Sequence, residues 1–535
     1  MKFISMLVSY LTVGFIIVSS AFSESIANKY SHPILRSINT FDKDKEIHIW
    51  IYFHDKGISS EDDIQNTLIH LQDDMNPKTK LRRAKTRGEI LVDERDLPVH
   101  TDYIDQVLKI GGVLRTRSKW LNAISISIPL ELVQNINKLH FVKSIDMVLG
   151  GKRIEPEVEA MSVDKTSHRT EYGTSYQQLE QINVIEAHDS GYTGQGVIVL
   201  MLDTGYYTDH ESIHENQIID EWDFINNDGE TQNEEGDSEN QHNHGTYTLS
   251  VLGGSFEGQL FGPAYDAEFL LAKTEDISQE VPIEEDWYVA GLEWGESLGA
   301  DIASSSLGYI DWYEYDDLDG MTAVTTVVVN TAIENGMIIT TAAGNSGENG
   351  IIAPADAFEV ITCGAVDSSG AIGSFSSHGP TADGRTKPEV CAQGVYTYCA
   401  NVDGPESYRH ASGTSLSTPL IGGACAIILS AQPSWTPYQV RGALMESASQ
   451  NNEPDNQYGW GIIDVMAAIN VSFLLGDANS DHLLNILDAV LISTFILEIQ
   501  TPTSFQFNRV DMDINGVVEV NDLVILIDFI LASSD

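Results

Sequence analysis

Residues 197–205 read Val-Ile-Val-Leu-Met-Leu-Asp-Thr-Gly. An unbroken apolar run of strand length, closing on a carboxylate and a glycine, suits a strand buried on both faces of a parallel sheet. An antiparallel strand with one wet face would alternate instead. Similar short runs recur at Glu268–Ala272, Ile302–Ser305, Met337–Thr341 and Val360–Cys363, with helically patterned segments such as Asp286–Leu298 and Thr325–Asn335 between them. This alternation predicts an α/β unit, a parallel sheet flanked by helices, over residues 171–470. Open sheets of this kind gather chemistry at the carboxyl ends of their strands, which is where Asp203 stands.

Three further motifs extend the site. His244 opens His-Gly-Thr-Tyr-Thr-Leu-Ser-Val-Leu-Gly-Gly (244–254), a predicted helix in which Gly245 allows a neighbouring chain to come close. Its competitor, His242, lies in a polar loop and reads as solvated. Ser415 lies in Gly-Thr-Ser-Leu-Ser-Thr-Pro-Leu-Ile-Gly-Gly-Ala (413–424), where a helix start supplies a hydroxyl beside unpaired backbone N–H groups. Ser417 is the rival hydroxyl, and Pro419 is expected in the first turn, where no N–H is needed. Asn345, in Ala-Ala-Gly-Asn-Ser-Gly (342–347), follows a strand and presents an amide able to donate to a developing oxyanion. Taken singly, the Asp, Ser and Asn motifs each have a bland alternative, a helix cap or a turn residue.

Jointly they follow the order Asp, His, Ser, with His244 41 residues after Asp203 and Ser415 171 further on. That order differs from those of the α/β-hydrolases and the chymotrypsin-like enzymes, and 413–417 is no Gly-x-Ser-x-Gly elbow, which excludes a lipase or esterase. With the Asn motif, the region closely resembles the subtilase (peptidase S8) family. The resemblance implies a subtilisin-like fold and a serine endopeptidase acting on protein or peptide substrates without a catalytic cofactor. Asp203, His244 and Ser415 would be its triad and Asn345 its oxyanion donor. Ser306-Leu307-Gly308 resembles the family's substrate-binding strand. Its opposite wall would fall near Pro282–Glu285, where Glu284 and Glu285 would favour basic side chains away from the scissile bond. A catalytically silent binding protein on the same scaffold is the competing expectation.

At 535 residues the chain is too long for one ordinary domain. Lys2, the apolar run Ile4–Val18 and the small-residue stretch Ser19–Ser23 have the order of a secretory signal peptide (1–23), which predicts export. No later stretch reads as apolar enough to span a bilayer. Residues 24–170 contain strand-like Glu46–Phe53, Asn122–Ile128 and Val142–Met147, helical patterning at Tyr103–Ile110 and Pro129–Leu139, and a polar linker near 154–174. By its position the region resembles a subtilase propeptide, a small α+β inhibitor and folding aid removed by self-cleavage near 160–175. Asp plus Glu number 79 against 29 Lys plus Arg, a formal net charge of −50, which excludes nucleic acid as a partner. Six acids at 228–239 read as a solvated loop, with calcium binding as the alternative. Of four cysteines, Cys391 and Cys399 are near enough in sequence to bridge, whereas Cys363 and Cys425 read as buried thiols.

Residues 474–535 carry a repeat: Asp477–Asp488 (DANSDHLLNILD) is echoed 34 residues later by Asp511–Asp522 (DMDINGVVEVND), each running into an apolar helix. Calcium loops take oxygen ligands at positions 1, 3, 5, 9 and 12. Those positions hold Asp477, Asn479, Asp481, Asn485 and Asp488 in the first copy, and Asp511, Asp513, Asn515, Glu519 and Asp522 in the second. The pair resembles a type I dockerin, a small all-α module that implies structural calcium and a cohesin-like scaffold partner. Loop position 6 is Gly516 in the second copy but His482 in the first, which predicts a weaker first site. The helix-start pairs Ile486-Leu487 and Val520-Asn521 lack the Ser/Thr of cellulosomal dockerins.

Overall fold

A computed structural model describes residues 29–30, 34, 45–148, 171–214, 217–278, 284–309, 313–479, 483–502, 504–513 and 516–532. The signal segment 1–23, Pro282, Asp481, His482, Asn515 and most of the expected processing region lie outside the described residues. The chain forms two compact units, residues 1–73 with 92–149 and residues 74–91 with 150–535.

The first unit holds an antiparallel sheet of β1 (Glu46–Phe53), β2 (Val113–Ser118), β3 (Ala123–Pro129) and β4 (Val142–Met147), in the order β2-β3-β1-β4. Three helices form between β1 and β2: α1 (Glu61–Asp74), α2 (Pro77–Arg87) and α3 (Thr101–Leu108). Alternation places Ile47, Ile49 and Ile51 of β1 with Ile124, Ile126 and Ile128 of β3 on one face, over Ile104 and Val107 of α3. The helix expected over Pro129–Leu139 is only a 3-10 turn and one α-turn, Leu130–Leu132 and Val133–Ile136. α2 belongs to the second unit.

The second unit is built on seven parallel strands: β5 (Ile198–Asp203), β6 (Ile218–Asp223), β7 (Glu268–Lys273), β8 (Ile302–Ser305), β9 (Ile338–Ala342), β10 (Ile361–Val366) and β11 (Val390–Gln393). Their order is β11-β10-β9-β8-β5-β7-β6. α4 (Asn243–Gly253) and α7 (Thr414–Ala431) pack on each other and on the sheet, α7 against β8, β9 and β10. α5 (Glu284–Leu298) and α6 (Val324–Glu334) pack together and against β5 and β9 respectively. α7 is long and apolar enough to cross a membrane by length and composition, which corrects the expectation that no later stretch is. It is 89% buried as the central core helix. The four cysteines are all buried and free, so the Cys391–Cys399 bridge does not form. Their thiols instead meet backbone carbonyls of Tyr458 and Arg409.

Near the C-terminus α8 (Pro437–Ser447) is followed by α9 (Ile486–Ile496), α10 (Ser504–Val510) and α11 (Val520–Ala532). The last three close a small core of Ala489, Ile492, Phe495, Val510, Met512 and Leu526. α10, seven residues long, is too short to show a clear hydrophobic period.

Candidate active site

β5 carries Asp203 to the carboxyl edge of the sheet, where its side chain is fully buried. Its Oδ1 accepts from the Thr204 N–H (2.8 Å) and Oδ2 from the Thr248 hydroxyl (2.9 Å). His244, in the first turn of α4 and 4% exposed, places Nδ1 2.6 Å from Asp203 Oδ1. Facing a carboxylate, Nδ1 carries the proton, which leaves Nε2 as the basic nitrogen. His244 Nε2 is buried without a hydrogen-bond partner among the described residues. Gly245 makes this approach feasible: a Cβ there would stand 2.1 Å from the Gly205 carbonyl oxygen. Burial, then the Asp203 charge, pushes the neighbouring Tyr206 phenol well up, so it stays neutral.

Ser415 is the second residue of α7, where N–H groups lack helical partners. The preceding Gly413 has φ 149°, and a side chain there would meet Ser415 Oγ at 2.8 Å and Asn345 Nδ2 at 3.6 Å. Both polar atoms therefore border one small space that glycine keeps open. Asn345 is oriented from its other end, its Oδ1 accepting from the Thr414 N–H (3.0 Å) and hydroxyl (3.1 Å).

Pro419 is the sixth residue of α7, not part of its first turn. Lacking an N–H, it cannot bond the carbonyl four residues back, which is that of Ser415. The Ser306 hydroxyl donates to that carbonyl at 2.9 Å. Ser306, directly after β8, is thus tied to the backbone of Ser415 itself. Ser417 is fully buried, with its hydroxyl bonded to Thr414 O (2.9 Å), and is unsuited as the reactive group.

Leu307 is buried, and Gly308 and Gly344 flank Ile352. A Cβ on Gly308 would lie 2.1 Å from Ile352 Cδ1, and one on Gly344 would lie 3.1 Å from Ile352 Cγ2. The space that these two glycines leave, next to the segments carrying Ser306 and Asn345, is therefore occupied by an isoleucine. Sequence reasoning missed it; the signal was an apolar pair, Ile351-Ile352, closing a polar glycine-rich loop.

Other expectations need correction. Glu284 and Glu285 are 3% and 0% exposed, with Glu285 accepting from the Tyr313 hydroxyl (2.7 Å), so neither offers a solvent-facing charge to a basic substrate. His242 is not solvated: its Nδ1 accepts from Asn233 N–H and its ring lies against Tyr207. Burial, helped by the Lys273 charge, lowers its pKa to about 4. The acidic loop is partly neutralised internally, since buried Lys273 pairs with Asp223 and Asp237, each at 2.7 Å.

In the C-terminal repeat the position-12 carboxylates close their loops in the same way. Asp488 accepts from Asn479 and Asn485 N–H, and Asp522 from Asp513 and Glu519 N–H. Ligand atoms of Asp511, Asp513 and Asp522 lie within 4.8 Å of one another, a hard-oxygen set that fits calcium. Asp477 faces a buried cation, Arg509 Nη1, at 3.5 Å.

The chain matches the subtilase family (Peptidase S8) over residues 194–461, the peptidase S8 propeptide domain of Bacteroidota over 48–165 and the dockerin type I domain over 475–531. It is 29% identical to subtilisin E of Bacillus subtilis (strain 168) over 371 residues, 68% of this chain and 85% of the relative. It is 32% identical to the subtilisin of Bacillus pumilus over 297 residues, 54% of this chain and 97% of the relative. The crystal structure of fervidolysin from Fervidobacterium pennivorans, a keratinolytic enzyme related to subtilisin, matches with a TM-score of 0.57 at 19% identity. That match covers 80% of this chain and 61% of fervidolysin, and it bears on the fold alone. Family match, sheet topology and curated relatives agree: the chain belongs to the subtilase family, as a serine endopeptidase with an S8 propeptide and a type I dockerin domain.

Proposed function

We propose that Asp203, His244 and Ser415 form the catalytic triad of a secreted, self-processing endopeptidase. The observation that carries this reading is the 2.6 Å Asp203–His244 pair, whose remaining imidazole nitrogen is buried and unpartnered among the described residues. Nε2 takes the Ser415 proton as Oγ attacks the peptide carbonyl, and returns it to the leaving amine when the C–N bond breaks. Water then hydrolyses the acyl-enzyme by the same route. Asp203 holds the imidazole in one tautomer and stabilises its cation. Asn345 Nδ2 and the Ser415 N–H receive the oxyanion in the space beside Gly413.

Extended peptide lies along Ser306-Leu307-Gly308 as an added strand. Because Ile352 fills the gap between Gly308 and Gly344, the residue that supplies the scissile carbonyl is small. Residues 1–23 direct export, 24–170 act as a propeptide cut from the catalytic region near 160–175, and 474–535 form the dockerin. In that module Asp511, Asp513, Asn515, Glu519 and Asp522 hold one structural calcium. Asp477, Asn479, Asp481, Asn485 and Asp488 hold a second, weaker one, because Arg509 already neutralises part of the charge at Asp477. The module's partner is a cohesin-like scaffold.

The test is expression of residues 24–535 with calcium, as wild type and as Ser415→Ala, following chain length and casein cleavage. The wild type should shorten and digest casein while Ser415→Ala remains full length and inert. Equal, inactive behaviour of both proteins would instead favour a silent scaffold acting through its dockerin.

A further inference from the structure

α2 is the most basic stretch of an acidic chain. Six of the 29 Lys and Arg residues fall within the eleven of Pro77–Arg87: Lys78, Lys80, Arg82, Arg83, Lys85 and Arg87. Its sequence neighbours on both sides belong to the first unit, yet α2 itself is part of the second. Asn76 caps its start by accepting from Lys78 N–H, with Pro77 in the first turn, and Gly88 ends it.

What α2 covers is the C-terminal ends of α5 and α6, where carbonyls lack helical partners and the helix dipoles are negative. The Asn76 amide donates to Leu298 O (3.2 Å), and the Thr79 hydroxyl to Glu296 O (3.1 Å). Arg82 donates to Glu296 O, Ala300 O and Asn335 O, and the Thr86 hydroxyl to Glu334 O (3.0 Å). Beneath these contacts the Glu296 carboxylate is gripped twice, by Arg82 and by Arg83, the latter through Nε (2.8 Å) and Nη2 (3.0 Å). All three side chains are 1% exposed. The fit is close at the backbone as well: a Cβ on Gly336, just past α6, would stand 2.8 Å from Arg82 O. By contrast, the outer face and flanks of α2 are open, with Leu81 71% and Ile90 75% exposed and Asp73, Asp74, Gly88 and Glu89 exposed.

We propose that the ends of α5 and α6 are a docking surface for a basic helix, and that residues 76–87 stay on it after the rest of the propeptide is cut away. The mature protease is then a two-chain assembly. This rests on the self-processing reading given above. The exposed flanks supply the cutting sites, and the buried Arg82–Glu296–Arg83 cluster supplies the retention.

Two measurements test this on the full chain, residues 24–535. Native mass spectrometry of the self-matured wild type should find a peptide containing 76–87 bound one to one in low salt. That peptide should be lost in Arg82→Met/Arg83→Met. A mature, active enzyme with nothing from 76–87 attached overturns the proposal. Hydrogen exchange of the Ser415→Ala precursor provides a readout independent of processing. Amides of 77–87 should exchange in step with those of 296–300, and Glu296→Gln should speed both by about tenfold. If the wild type never shortens, the processing reading fails, and exchange alone judges the docking surface. Fast exchange of 77–87, unaffected by Glu296→Gln, overturns it.

Discussion

The bond from Ser306 to the Ser415 carbonyl exists because Pro419 withdraws the partner an ordinary helix would provide. Ser306→Ala should therefore strand a buried acceptor, a loss of about 1–3 kcal/mol rather than the smaller net value of an exchangeable hydrogen bond. In Ser306→Ala/Pro419→Ala an alanine N–H at 419 can reach the same carbonyl, so the double variant should recover most of that loss. The cycle is measured in a Ser415→Ala background, which keeps the carbonyl and prevents self-digestion, by hydrogen exchange of the α7 amides in urea. An interaction energy above about 1 kcal/mol is expected. Costs that add to within about 0.5 kcal/mol would mean that the Ser306 hydroxyl and Pro419 act independently, and the account of this joint would be wrong.

Asn345→Ala should lower kcat by about 10²–10³ with little change in KM, the outcome that the proposed oxyanion role requires; an equal loss in both would argue for a binding role. Ile352→Gly should shift cleavage of a peptide library toward large side chains before the scissile bond, and an unchanged profile would place that side chain elsewhere. Chelation should lower the melting temperature of residues 475–531 and leave that of the catalytic region, with Asp522→Ala abolishing the tighter of two calcium-binding steps in calorimetry. Burial holds His242 at a pKa of about 4, below its ordinary 6.5, so its unfolded form takes up the proton first. Stability from this group is complete above pH 6.5 and is lost as pH falls toward 4; an NMR titration placing His242 near 6.5 would refute this.

The catalytic unit was legible because its signals are local. Buried parallel strands are written as continuous apolar runs, and Asp203, His244, Asn345 and Ser415 each sit where an element begins or ends. β6, by contrast, reads Ile-Ile-Asp-Glu-Trp-Asp, as an edge strand with a wet face does, and gave no apolar run to recognise. α2 escaped for a related reason: its stability comes from Glu296 and from carbonyls more than 200 residues away in sequence, not from an apolar stripe. Ile352 illustrates the same limit within the site, because which side chain fills a gap between two glycines depends on packing and not on spacing. Glu284 and Glu285 mark the opposite error, acids assigned to a cleft wall that the first turn of α5 buries.

The four unpaired cysteines give the catalytic region built-in reporters. Cys363 in β10 and Cys425 in α7 lie on either side of the main core contact and are fully enclosed, and burial raises both thiols. A thiol-directed reagent added to the native protein will therefore wait for the core to part, and the rate at which each sulfur is modified measures how often that part of the molecule breathes. No covalent cross-link has to be made or kept for the fold to persist, so maturation and turnover can be followed in strong reductant, with the cysteines serving as clocks rather than staples.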